Sequence, residues 1–355
     1  MVDIKTIYKK IGFPRLIISA FLLILLIAAY FLGISNKEIW GGLMTRFGMN
    51  AILVLAMVPS IQSGIGVNFN LPMGVIFGLI GVLVSIEMEL TGWANFGVAL
   101  LVAIPLAVIA GYFYGLMLNR VKGQEMTVGT YVGFSIVSFM CIFWLIAPFK
   151  SEALVWPMSG KGLRVTLSLD EYMGGLLAKF PKSLPFGNWD WIPDWVEVFS
   201  IGLLLFFALL AFLVWAFFRS KSGTAMKVAG SSEAFAVSNG VNVDKQRIKG
   251  MIMSTVLAAI GIIVYSQTFG FLQLYNAPLY VAMPAAAAIL IGGATLQRAK
   301  IIHVIIGTFL FQGLLVVALP VINLISGGSL AEIMRIIISN GIILYALTRK
   351  AGEAI

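Results

Sequence analysis

Apolar stretches about as long as a bilayer is thick recur along this chain, and the charged residues are largely confined to the segments between them. A helix needs about 20 mostly apolar residues to cross the hydrocarbon region. That ruler places spans near 16–33, 43–61, 72–90, 96–118, 127–148, 197–218, 250–268, 279–297, 301–321 and 331–348. The expected fold is therefore an all-α, polytopic membrane protein of about ten helices, one transmembrane unit over residues 1–355. Composition points the same way: 60% of residues are hydrophobic and 11% charged, against about 45–50% and about 25% in soluble domains.

The basic residues give the spans a direction. Lys5, Lys9, Lys10, Arg15, Arg120, Lys122, Arg219, Lys221, Lys227, Lys245, Arg247, Lys249, Arg298, Lys300, Arg349 and Lys350 all fall on one side if the spans alternate, sixteen of the twenty-four Lys and Arg. Five others (Lys150, Lys161, Arg164, Lys179, Lys182) share one long loop on the opposite side, and long loops carry little weight in orientation. The positive-inside rule predicts both termini in the cytoplasm, an outer loop over 149–196 and a cytoplasmic loop over 219–249. It also accounts for the net charge of +9 without a nucleic-acid partner. The basic start followed by Leu16–Leu32 exceeds the roughly 7–15 apolar residues of a signal core, so an uncleaved first helix is expected.

Local patterns suggest how the bundle packs. Gly74 with Gly78, Gly111 with Gly115 and Gly129 with Gly133 are small-xxx-small pairs, each on one helix face, where a neighbouring backbone can approach closely. Ser168-Leu-Asp-Glu171 has capping-box spacing and predicts a short helix in the outer loop; Asp194 and Glu197 repeat it before the sixth span. Trp156, Trp189, Trp191 and Trp195 suit a membrane interface.

Chemistry-bearing clusters are scarce. One cysteine, Cys141, and one histidine, His303, cannot build a disulfide framework or a multi-histidine metal centre. Acidic residues reach the spans only near their ends, at Glu87, Glu89 and Glu332, and no charge is expected near the centre of any span. Intramembrane charge usually marks ion or proton pathways, so its absence argues against a coupled carrier and an intramembrane hydrolase. Ser159-Gly-Lys-Gly162 lacks the upstream glycine of a phosphate loop. The interrupted stretch 62–72, with Gly64, Gly66 and Pro72, carries Gln62, Asn68 and Asn70. Such backbone at membrane depth is tolerated when it lines a wet cavity or is buried in protein, so it is either part of a solute path or an interfacial turn. Gln267, Gln273 and Gln312 are further amides for the same path.

Gly223-Thr-Ala-Met-Lys-Val-Ala-Gly230, followed by Glu233, Ala236 and Gly240-Val-Asn-Val243, resembles the cytoplasmic loop of bacterial ABC importer permeases of the ribose and branched-chain amino acid type. Lys227 stands where that pattern has Arg, and Ser232 where it has Asn. Ser63-Gly-Ile-Gly-Val-Asn-Phe-Asn-Leu-Pro-Met-Gly74 and Pro284-Ala-Ala-Ala-Ala-Ile-Leu-Ile-Gly-Gly293 are similar to two further segments of that family. Gln297-Arg-Ala-Lys300 departs from the glycine-rich turn that normally follows the second.

The resemblance implies a permease subunit in the bacterial cell membrane, paired with a second permease of the same or another chain. It also implies an extracytoplasmic solute-binding protein and cytoplasmic ATPase subunits, which would hold ATP and Mg, leaving this chain without a cofactor or catalytic role. By that likeness Thr224–Gly240 is the coupling segment, with Thr224, Lys227, Gly230, Ser231, Glu233, Ala234, Ala236 and Gly240 at the contact. Gly230, Ala234 and Ala236 would form its small-residue face. Gln62, Asn68, Asn70, Gln267 and Gln312 are the candidate path. The lack of buried charge favours a neutral polar solute, a simple sugar before a nucleoside and either before a branched-chain amino acid. A stand-alone facilitator or secondary carrier explains the helices but not the long basic loop.

Overall fold

The computed structural model describes residues 13–155, 162–186, 189, 191–326, 333, 336–337 and 340–344. Their long elements are helices: α1 (Phe13–Phe31), α2 (Asn36–Leu55), α3 (Met57–Gln62), α4 (Leu71–Glu87), α5 (Gly92–Arg120) and α6 (Glu125–Ile146). After strand β1 (Thr166–Ser168) come α7 (Trp195–Val198), α8 (Ile201–Arg219), α9 (Lys221–Ser231), α10 (Glu233–Ser238) and α11 (Val243–Phe269). Strand β2 (Phe271–Gln273), α12 (Ala277–Tyr280), α13 (Ala282–Ile291) and α14 (Ile301–Ser326) complete them. Among the described residues six helical segments are long and apolar enough to cross a membrane, and three shorter apolar segments lie at 15–31, 71–87 and 277–291. The chain is an all-α membrane protein, with one short β-ribbon among the described residues. Most of the expected span 331–348 lies outside the described residues.

The helix α11 is the hub, packed along α5, α4 and α2. The glycine pairs explain how it fits. A Cβ on Gly74 would meet the Thr255 carbonyl, and one on Gly78 the backbone of Ala259. Gly111 and Gly115 lie against the Cα atoms of Ile252 and Ile248 on another face of the same helix. Removing side chains lets backbones approach, which is how apolar helices gain dispersion contact when lipid offers no hydrophobic contrast. Gly129 and Gly133 instead press on Tyr114 and on the Phe69–Asn70 backbone.

The first half of the chain departs from the expected boundaries in a way that matters. With α3 continuing α2 after Ala56, the apolar segment runs Asn36–Gln62, where hydropathy alone suggests 43–61. Lys37 and Glu38 hide the first turn from a hydropathy reading, although Ser35 precedes it in extended backbone. Arg46 therefore lies ten residues inside the helix, about 15 Å along it at 1.5 Å per residue, further from a helix end than the 43–61 boundary implies.

The loop expected outside folds as a cap. Strand β1 pairs antiparallel with β2, Thr166 opposite Gln273 and Ser168 opposite Phe271. Leu163, Leu167, Leu169, Met173 and Leu177 are buried beneath it. Ser168 sits in the strand, its hydroxyl donating to Asp170 Oδ2 at 3.0 Å. The capping-box spacing thus closes a turn and not an α-helix, because strand pairing takes the backbone of residue 168. The second capping pattern is also diverted: Asp194 makes no side-chain cap bond, and both Asp194 and Glu197 pair with Lys182 at 3.2 and 3.6 Å. Glu87 anchors the cap from below, accepting from Lys150 N at 3.0 Å and Ser151 N at 3.1 Å. Trp191 and Trp195 are exposed, whereas Trp156 lies outside the described residues.

Candidate functional site

Two regions of the bundle collect polar side chains, one under the cap and one at the opposite ends of the helices. Under the cap, α2, α11, α12, α13 and α14 enclose a cavity of about 210 Å³. Its polar lining is Arg46, Asn50, Tyr265, Gln273, Asn276, Tyr280 and Gln312. Arg46 is exposed, and among the described residues neither a carboxylate nor a hydrogen-bond acceptor meets its guanidinium. Asn50, one turn on, donates from its amide to the Arg46 carbonyl at 2.9 Å. Cations within apolar spans are costly against lipid and usually face a water-filled cavity or the interior of a bundle. The β-ribbon positions Gln273 at the cavity, so the cap contributes to the lining.

Of the amides named from sequence as the path, only Gln312 lines this cavity; Gln273, the weaker candidate, joins it. Asn68 donates from Nδ2 to Ser254 Oγ at 2.9 Å, and its Oδ1 accepts from Asn70 N at 3.0 Å. These bonds hold the 62–72 segment as a buried turn, with Gly64 and Gly66 at positive φ (81° and 91°) where other residues are strained. Gln267 ties the cap to α11: its carbonyl accepts from Gly175 N at 2.6 Å and its Oε1 from Leu177 N at 3.3 Å. Gln62 donates to the Ala299 carbonyl, away from the Arg46 cavity.

At the other end, α9 and α10 form the 219–249 connection. Ser220 caps α9 and Ser232 caps α10, each accepting from a backbone N–H three residues on, at 3.2 and 3.3 Å. Gly230 lies directly on the backbone of Gln62 and Gly64, where any Cβ would strike the Gln62 carbonyl. Ala236 is buried with Ala229 and Val243. The single small-residue face expected from Gly230, Ala234 and Ala236 is therefore split: Gly230 and Ala236 point into the protein, and Ala234 points out. The outward apolar groups are Phe235 and Val237, 58% and 62% exposed. Thr224, Lys227, Ser231, Glu233 and Gly240 are also exposed.

A charge network bolts this module to the bundle. Lys122, in the α5–α6 turn, bonds Glu233 at 2.7 Å and Asp244 at 2.9 Å. Those bonds, Glu233 first, hold the Lys122 ammonium above its ordinary pKa. Deeper in, Arg247 Nη2 meets Glu125 Oε1 at 2.5 Å, with side chains only 5% and 12% exposed. Arg247 also donates from Nε to Asn119 Oδ1 at 3.0 Å and from Nη2 to the Leu118 carbonyl at 3.4 Å. The sequence places Arg247 among the basic residues of the 219–249 loop and gives no sign of Glu125 as its partner. Sequence reasoning also passed over Arg46 and the exposed Phe235 and Val237. For Arg46 the usable signal was Ser35 as a helix start.

Comparison with known proteins gives consistent matches. The family model described as "Branched-chain amino acid transport system / permease component" matches residues 39–347. "Autoinducer 2 import system permease protein LsrC" of Yersinia pestis (strain Pestoides F) is 27% identical over 270 residues, 74% of this chain. The protein of the same name from Photorhabdus laumondii is 25% identical over 280 residues, covering 77% of this chain and 74% of that one. The chain spans 66% of the length of the Yersinia relative. No solved structure gives a significant match.

Proposed function

Since the chain belongs to the family of permease components of branched-chain amino acid transport systems, we propose that it is the membrane subunit of an ATP-driven importer. Its solute passes through the Arg46 cavity, and its energy arrives through α9 and α10. The observation that carries the reading is Arg46, a charged side chain exposed well inside a membrane-spanning segment. A water-filled path, closed off from lipid by a second permease, makes that position tolerable.

The connections between the two regions support a mechanical route. Helix α11 runs from the Arg247–Glu125 pair at one end to Tyr265 at the cavity and Gln267 under the cap, about 30 Å at helical rise. A push on α10 would reach α11 through Glu233, Lys122 and Asp244, and α3 through Gly230 on Gln62. A solute or nucleotide shifts such an equilibrium only by binding the two states unequally, so the chain itself needs no ATP site. The ten-span arrangement with both ends in the cytoplasm belongs to this proposal and rests on the basic-residue distribution. The partners are cytoplasmic ATPase subunits, a second permease and a solute-binding protein; ATP and Mg would bind the ATPase. The docking contact is centred on Phe235 and Val237, with Thr224, Ser231 and Glu233 at its rim.

The solute we favour is a small hydroxyl-rich molecule of the simple-sugar class. Arg46, Asn50, Gln273, Asn276 and Gln312 together supply many donors in a cavity of about 210 Å³, and the relatives are permease proteins of autoinducer 2 import systems by name. A branched-chain amino acid is the second reading, favoured by the unpaired Arg46 guanidinium, which suits a carboxylate. Competition of uptake by ribose-like sugars against leucine-like amino acids separates the two. Transport that persists without any ATPase would reject the importer reading.

A further inference from the structure

Away from the Arg46 cavity, a larger cavity of about 760 Å³ opens where the ends of α3, α8 and α9 meet the start of α14. Arg219, Lys227, Arg298 and Lys300 line it, and among the described residues no carboxylate does. Aromatic rings hold two of these cations: the Arg219 guanidinium lies 4.3 Å from the Trp215 ring centre, and Lys227 Nζ lies 5.4 Å from that of Phe218. Lys227 Nζ also donates to the Phe218 carbonyl at 2.9 Å. A tight turn in which Thr295 Oγ1 accepts from Arg298 N at 3.0 Å fixes the other two beside the first turn of α14.

The cavity continues into an apolar track. On α8, Leu205, Leu209 and Phe212 are exposed at helical spacing, and Arg219 falls on the same face two turns further on. Val58, Ile301 and Ile302 add apolar wall between the rim and the bundle. A ligand filling both parts carries negative charge at one end and hydrocarbon at the other.

We propose that this cavity is a binding site for the phosphate headgroup of an anionic phospholipid, with an acyl chain laid along the Leu205–Leu209–Phe212 track. Basic pockets between membrane helices suit such headgroups, and cations stacked on aromatic rings are pre-positioned for phosphate. Free phosphate would use the rim and leave the track bare. An acidic protein segment would meet the rim but gain nothing from the apolar track. The proposal is independent of which solute the chain carries.

The full chain in neutral detergent is titrated with short-chain phosphatidylglycerol, with phosphatidylcholine as the uncharged-headgroup control, and bound lipid is counted by native mass spectrometry. Phosphatidylglycerol should bind at least about tenfold more tightly, and Arg298→Ala/Lys300→Ala should lower that affinity by about tenfold or more. Lys221→Ala/Lys245→Ala, which removes equal charge outside the cavity, should change it by less than about twofold. Leu209→Ser, which leaves every charge in place, should also weaken binding and serves if the cavity double variant does not fold. Equal binding of the two lipids, or equal losses in both charge variants, would overturn the site. So would displacement of the lipid by millimolar inorganic phosphate. Retained lipid with loss of a bound ATPase in the cavity variant would make it a protein-docking surface instead.

Discussion

Replacing Glu125 by Ala strands Arg247 in a nearly dry site. The pair sits at 2.5 Å with both side chains largely buried, and breaking such a pair by removing one partner costs about 3–5 kcal/mol. Here Arg247 keeps Asn119 Oδ1 at 3.0 Å and the Leu118 carbonyl at 3.4 Å, so the loss falls near the lower end, about 3 kcal/mol. Removing both charges, as Glu125→Leu/Arg247→Leu, leaves no orphan and should cost less than about 1 kcal/mol. The double-mutant cycle built from Glu125→Leu, Arg247→Leu and the double variant, read by unfolding in mixed micelles of increasing denaturing-detergent fraction, should give a coupling above about 2 kcal/mol in magnitude. A Glu125→Ala cost under about 1 kcal/mol, or a double variant costing the sum of the singles, would refute a buried joint between α6 and α11. If the joint transmits motion, the double variant should also hydrolyse ATP in complex without moving solute.

Other expectations are simpler to check. Arg46→Ala should lower uptake by about tenfold or more with assembly unchanged, and Arg46→Lys should recover part of it; normal uptake in Arg46→Ala removes the cavity from the path. Phe235→Asp/Val237→Asp should abolish ATPase co-purification while leaving the melting profile intact, since both residues are exposed. Gly78→Leu drives a side chain into the Ala259 backbone and should cost about 1–3 kcal/mol or prevent folding, measured by the same micelle titration. The raised pKa of Lys122 means its contribution is fully present below its unfolded pKa of about 10.4 and is lost as pH rises through the folded value. Stability of the wild type relative to Lys122→Met should then be flat from about pH 6 to 9, and the difference no more than about 1 kcal/mol for so exposed a pair. A difference that grows on acidification to pH 6 would contradict that sign.

How much the sequence reveals depends on how local the signal is. Lipid-crossing helices announce themselves by length and hydropathy, and Gly74, Gly78, Gly111 and Gly115 read correctly as packing positions because their spacing alone puts them on one face. The cap was not legible: β1 and β2 are three residues each and separated by about a hundred residues, so neither shows a pattern by itself. Ser168 carried a true turn signal, but pairing with β2 overrode its helical reading. Arg247 reads as one more cytoplasmic-loop cation and Glu125 as an unremarkable helix start; only the meeting of α6 with α11 buries them together. Gly230 and Ala236, expected on a face toward the ATPase, are small for an internal reason, against Gln62 and Val243, and the outward apolar surface belongs to their bulky neighbours. Arg46 was hidden by the polar first turn of its own helix.

The central claim is that this chain moves a solute only when ATP hydrolysis on a partner drives it. Vesicles carrying the chain with its co-purified partners, loaded with or without ATP and supplied with candidate solutes and binding protein, test this directly. The account predicts uptake with ATP, none without it, and none in vesicles carrying Phe235→Asp/Val237→Asp. Equal uptake with and without ATP would contradict it and leave a stand-alone carrier in its place.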